Sequence, residues 1–150
     1  MKKIKKYIMD KDENKKNMFK EIDLIQNIIN RLAKNSFLIK GWAVTLISVI
    51  NVFSESTNRF LYCILILIGF WCLDAYYLYM ERRYRELYNW VIKNREKNSD
   101  FLFDLNTYRE GLINETSCKF YIKSLFSKTM WLFYLLLIVV LLLVPIFTKF

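Results

Sequence analysis

The chain has 150 residues, 55% of them hydrophobic and 17% aromatic, and a formal charge of +9. A soluble domain of this length could bury a core, but here the apolar residues are gathered into uncharged runs, which is the membrane pattern. The charges flank those runs instead of forming one basic surface, so nucleic acid is not an expected partner.

Residues 1–36 open with a charged segment. Lys2, Lys3, Lys5 and Lys6 would suit the start of a secretory signal, but Asp10-Lys11-Asp12-Glu13-Asn14-Lys15-Lys16 follows in place of an apolar stretch, so no leader is expected. Met1 to about Asn17 is expected to be mobile or to lie on the inner membrane surface. From Met18 the spacing of Met18, Ile22, Ile25, Ile29 and Leu32 predicts an amphipathic helix, with Leu24 and Ile28 widening its seam. Lys20, Glu21, Asp23, Gln26, Asn27, Asn30 and Arg31 are assigned to its polar surface. Asn35-Ser36 is expected to break or kink it.

Residues 37–80 read as a transmembrane hairpin, and the rest of the chain is organised around it. Gly41 to Ser54 and Phe60 to Leu73 carry no charge. Each run alone is short against the roughly 20 apolar residues that a span needs. The first reaches that length through Phe37, Leu38 and Ile39 with Lys40 snorkelling, and the second through the tyrosine-rich stretch Ala75 to Met80. A polar turn, Ser54-Glu55-Ser56-Thr57-Asn58-Arg59, joins them. Folding back about that turn brings Lys40 and Asp74 to nearly the same depth, near the inner interface. An unpaired carboxylate there is costly, so an ion pair is one expectation and contact with interfacial water the other. In the first span Gly41, Thr45, Ser48 and Asn51 lie close to one face. Such a stripe serves close helix packing, or lines a wet pore if several copies form a ring; the two are compatible.

Residues 81–128 read as a cytoplasmic amphipathic region. Tyr77, Met80, Tyr84, Leu87 and Val91 carry a helical seam past Arg82, Arg83 and Arg85, whose charge places this side and the N-terminus inside. Asn98-Ser99-Asp100 predicts a stop and a new helix cap. Phe101 to about Leu112 is expected to form a weaker amphipathic helix ending near Gly111, and Lys119 to Lys128 a segment in the inner interface. Residues 129–148 hold the clearest apolar run, Met130 to Phe147, with Pro145 near its end. Lysines before it predict an inside-to-outside third span; a re-entrant segment is the alternative.

Catalytic chemistry is not expected. There is no histidine, and Gly41, Gly69 and Gly111 are the only glycines, so neither a histidine-activated nucleophile nor a phosphate-cradling loop is available. Cys63, Cys72 and Cys118 have no metal or disulfide spacing, and no cofactor is expected. The class is an all-α integral membrane protein.

Three stretches carry a resemblance: Asn30-Arg31-Leu32-Ala33-Lys34-Asn35-Ser36; Lys40-Gly41-Trp42; and Leu73-Asp74-Ala75-Tyr76-Tyr77-Leu78 followed by Glu81-Arg82-Arg83-Tyr84-Arg85 and Leu87-Tyr88. From about Met18 to Val91 the chain resembles the small RipA-type octameric membrane proteins of bacterial anti-phage defence systems. The resemblance implies an eight-membered homo-oligomeric ring in the inner membrane, acting as a pore or permeabilising effector. It implies a partner protein that senses infection and holds the ring silent until then; opening would collapse the membrane potential. The family's core would map onto Lys40, Asp74, Glu81, Arg82 and Arg85. Other readings are a holin-like or toxin-like protein that acts alone, a non-conducting anchor for a cytoplasmic partner, and a small transporter using Asp74.

Overall fold

The computed structural model describes residues 2–53, 58–95, 101–113 and 115–147, and the side chains among them from 12 to 143. All the regular structure among these residues is helical: α1 Lys2–Phe53, α2 Arg59–Asn94, α3 Ser117–Leu125 and α4 Lys128–Phe147. Helices α1 and α2 are each long and apolar enough to cross a membrane. A third candidate is α3 and α4 taken as one span, bent by 47° between them.

The N-terminal segment expected to be mobile or surface-bound is taken into α1, and α1 is not broken at Asn35-Ser36. Serine and asparagine in a helix interior cost only about half a kcal/mol each, without the lost donor of proline or the backbone freedom of glycine. Ser36 also has somewhere to send its hydroxyl, as described below. The residues 54–57 of the expected turn and the expected stop at Asn98-Ser99-Asp100 lie outside the described residues.

The chain divides into two compact units, one formed by residues 1–32 and 80–114, the other by 33–79 and 115–150. In the first unit, Ile25 and Ile29 of α1 pack with Leu87 and Val91 of α2, and Met18, Ile22, Tyr84, Tyr88, Leu105 and Leu112 complete the core. The two seams, each read separately from its own spacing, thus meet in one core. Leu24, expected to widen the α1 seam, is 45% exposed. Glu21, assigned to the polar surface, is fully buried. Its carboxylate accepts from Arg95 at 2.7 Å and 2.5 Å, and Arg95 donates also to the Phe101 carbonyl at 3.1 Å.

The helix expected from Phe101 to Leu112 is not there: 101–113 is a chain of turns. Asp104 Oδ1 accepts from the Asn106 N–H and Asn106 Oδ1 from the Tyr108 N–H, each at 2.9 Å. These side chains give the backbone an alternative to helical bonds. Phe101 and Phe103 take positive φ near 60°, which a bulky residue adopts only when its surroundings hold it there. Arg109 stacks on the rings of Trp90 and Phe101 at 4.1 Å and 4.6 Å. Arg83 stacks on Tyr108 at 3.8 Å and donates to the Thr107 carbonyl at 2.6 Å. These cationic contacts fix the turns to α2.

In the second unit, Ile47 of α1, Cys63, Leu67 and Ala75 of α2, and Met130, Tyr134 and Leu141 of α4 form one core. The α4 residues recur at helical spacing, so α4 lays one face against the hairpin. The segment 119–128, expected to lie in the inner interface, corresponds mostly to α3. Trp71 of α2 donates its indole N–H to the Leu125 carbonyl at 3.1 Å, and Tyr121 of α3 donates to the Cys72 carbonyl at 3.0 Å.

Candidate functional site

The second unit contains one fully buried carboxylate among the described residues, Asp74. Its helix is uncharged from Phe60 to Leu73, so the acid stands at the end of an apolar stretch. Three side chains converge on it. Lys40 Nζ lies 2.5 Å from Oδ2. Ser36 Oγ donates to Oδ1 at 2.5 Å. The Tyr134 hydroxyl lies 3.3 Å from Oδ2 and 3.1 Å from the Phe70 carbonyl oxygen.

Each element places its residue by simple periodicity. Ser36 and Lys40 are one turn apart on α1, and Lys40 donates to Ser36 Oγ at 2.9 Å. Ser36 therefore accepts from the ammonium and donates to the carboxylate, bridging the two charges. Tyr134 enters from α4, held by stacking on Trp71 at 5.7 Å with 15° between the rings. Asp74 thus ties three helices, and both its oxygens have donors, which is what a buried ionised carboxylate requires.

The sequence places Lys40 and Asp74 together; Ser36 and Tyr134 it does not. Both were visible only as a supposed helix break and as one aromatic in an apolar run. A pairing signal for Tyr134 existed in the polar hydroxyl within an otherwise apolar helix, since such a group seeks an acceptor.

The stripe Gly41, Thr45, Ser48 and Asn51 is placed differently. Gly41, Thr45 and Ser48 are exposed, while α1 turns Ile39, Ala43 and Ile47 inward. The Thr45 and Ser48 hydroxyls bond back to the carbonyls of Gly41 and Val44, four residues earlier, at 3.0 Å and 2.8 Å. Asn51 is half-buried and donates to the Ile47 carbonyl at 2.9 Å, with Cys63 Sγ at 3.7 Å. The first three residues of the stripe therefore lie on the exposed side of α1. A Cβ added at Gly41 would meet nothing within 4 Å.

Of the remaining candidate residues, Glu81 and Arg85 pair along one turn of α2 at 2.7 Å, and Arg82 is half-buried. The Glu81–Arg85 pair belongs to the first unit, and Arg85 is 61% exposed, so it contributes little to stability. Among the described residues no three His, Cys, Asp or Glu side chains come together as metal ligands. The hairpin carries an open apolar groove of about 270 Å³, lined by Leu46, Ile66, Gly69, Phe70 and Leu73. No protein-family model, curated protein or solved structure matches the chain.

Proposed function

We propose that the chain is the subunit of a homo-oligomeric pore, or membrane-permeabilising effector, of a bacterial anti-phage defence system. Its partners are further copies of itself, eight by the family resemblance, the lipid bilayer and a cytoplasmic sensor protein that gates it. It resides in the inner membrane with its N-terminus inside. The observation that carries this reading is the α1 stripe. Gly41, Thr45 and Ser48 sit in an uncharged stretch of helix, yet all three are exposed, and a Cβ at Gly41 would meet no described atom within 4 Å. Facing lipid alone, small and hydroxyl residues bring nothing that leucine would not; against a second copy they allow close approach, and around an axis they line water.

Depth supports a membrane setting for the Asp74 junction. At about 1.5 Å per residue, Lys40 lies roughly 20 Å from Phe53 along α1, Asp74 roughly 22 Å from Arg59 along α2, and Tyr134 roughly 20 Å from Phe147 along α4. In the other direction the next charges on α1 and α4, Lys34 and Lys128, lie about 9 Å away. These lengths fit a hydrocarbon core of about 30 Å with the junction about a third of the way across, deeper than the interfacial position the hairpin symmetry suggests. Charge at that depth persists only when paired, and it marks functional positions.

The test is reconstitution. Purified protein imaged in lipid should show a closed ring with Thr45 and Ser48 toward its axis or its subunit contacts, and vesicles containing it with the activated sensor should lose a potassium gradient. A monomer or dimer, or vesicles that stay tight with the activated sensor present, would sink the reading. A non-conducting anchor is the second reading. The first unit favours it, having its own core and a buried Glu21–Arg95 pair, as a docking module for a cytoplasmic partner requires.

A further inference from the structure

Two neighbouring residues of α4 reach the Lys40–Asp74 pair: the Phe133 ring lies 5.9 Å from Lys40 Nζ, and Tyr134 brings the one hydroxyl that reaches the carboxylate from α4. Its side chain is fully buried, stacked on Trp71 and edge-on to Phe133 at 5.1 Å. Its hydroxyl carries one proton and has two acceptors in reach, the Phe70 carbonyl and Asp74 Oδ2. The carbonyl lies inside α2, whose own ladder already uses it; the carboxylate is charged and is the stronger acceptor. Asp74 has no exposed surface and Lys40 keeps a fifth of its own. Withdrawing α4 would remove a donor from the carboxylate together with the aromatic wall of Tyr134.

Two further polar ties join the α3–α4 arm to α2: the Trp71 indole on the Leu125 carbonyl and the Tyr121 hydroxyl on the Cys72 carbonyl. Each joins a side chain to an atom of another helix, and none belongs to a helix's own ladder. All can break while α1, α2 and α4 stay helical. Within the arm, α4 meets α3 at a 47° bend, a place where rotation need not disturb a continuous helix.

We infer that α4 is a detachable lid over the Lys40–Asp74 pair, latched by the Tyr134 hydroxyl, and that its seated position is the closed state of the pore. The lid stands on the geometry of the second unit alone; only its link to closure rests on the pore reading. The lid explains why a tyrosine interrupts an apolar helix at the depth of the carboxylate. It also gives a gating partner something to move: an arm whose release uncovers charge in the middle of the subunit.

The experiment uses the full chain in lipid nanodiscs, with Cys63→Ala, Cys72→Ser and Cys118→Ser replacements and spin labels at Leu65 of α2 and Leu136 of α4. Both positions are exposed, at 58% and 61%. With the labelled chain diluted into an excess of unlabelled chain, so that distances within one subunit dominate, the parent should give one narrow distance distribution. Tyr134→Phe, which keeps the ring and its stacking, should add a longer-distance population several-fold above the parent's. Ser36→Ala removes a donor that comes from α1 and should leave the distribution as it is. An unchanged distribution in Tyr134→Phe, or equal loosening in Ser36→Ala, overturns the latch. Potassium leak from vesicles is read on the same variants. A several-fold rise confined to Tyr134→Phe supports the closed-state assignment. A loosened arm without leak overturns the closed-state assignment, and with it the link to the pore reading, and leaves the lid standing.

Discussion

Replacing Asp74 with alanine tests the junction at its centre. Removing one partner of a buried ion pair costs about 3–5 kcal/mol, because the charge left behind has lost its compensation. The two partners here are not equivalent. Lys40 is 20% exposed at its side chain and Asp74 not at all. After Asp74→Ala the lysine can extend along the helix surface toward the interface, and Ser36 Oγ still accepts from it. The expected loss is therefore at the low end, about 3 kcal/mol. After Lys40→Met the carboxylate has no such exit; Ser36 and Tyr134 still donate, but no cation remains, and the expected loss is at the upper end, about 5 kcal/mol. The double variant Lys40→Met/Asp74→Ala removes both charges and should lose no more than about 1–2 kcal/mol, since apolar replacement of a whole buried pair is often near neutral. Reversible unfolding of the reconstituted protein in graded denaturing detergent, followed by tryptophan emission, gives the three values and their coupling. A coupling below about 0.5 kcal/mol, or a greater loss for Asp74→Ala than for Lys40→Met, would refute the argument.

Three further outcomes are expected. Glu21→Ala takes the carboxylate away from Arg95, whose side chain is only 2% exposed, and should lower local stability by about 3–5 kcal/mol. Hydrogen exchange over 18–32 and 84–94 reads this, and unchanged protection there would show that the pair does not hold the first unit together. Gly111→Ala meets no atom within 4 Å, but Gly111 has φ +81, so the penalty should be that of backbone conformation alone, about 1 kcal/mol by thermal unfolding; no loss at all would mean the turn does not need its left-handed residue. Ser48→Leu, at an exposed position, should change the stability of the isolated subunit by less than about 0.5 kcal/mol while blocking conductance or disturbing assembly. If assembly and conductance are both unaltered, the stripe has no part in either.

The seams were legible because each is carried by several residues at once. Ile25 and Ile29 on one helix and Leu87 and Val91 on the other repeat at helical spacing, and no single exception can hide that period. The same holds for the apolar runs of α1, α2 and α4. The segment 101–113 was misread for the converse reason. Its apolar residues fit a helix weakly, and its course is decided by two short polar side chains, Asp104 and Asn106, bonding two residues ahead. Spacing arguments weigh apolar positions and give such local competition no vote.

The junction at Asp74 shows a different limit. Lys40 could be paired with it because hairpin symmetry and opposite charge both point the same way. Ser36 lies one turn from Lys40, but asparagine-serine in sequence reads as a break, and only the arrival of a carboxylate from another helix gives the hydroxyl its use inside α1. Tyr134 is 60 positions away on a helix whose order against the hairpin no turn specifies. Glu21 and Arg95, 74 apart, escaped for the same reason: each looks like ordinary surface charge until the other is brought to it. Polar contacts over long separations carry no period, and a sequence can announce them only by leaving a group that has nowhere local to go. Asp74 was such a group. Tyr134, a hydroxyl in an apolar helix, was another, and the two resolve each other.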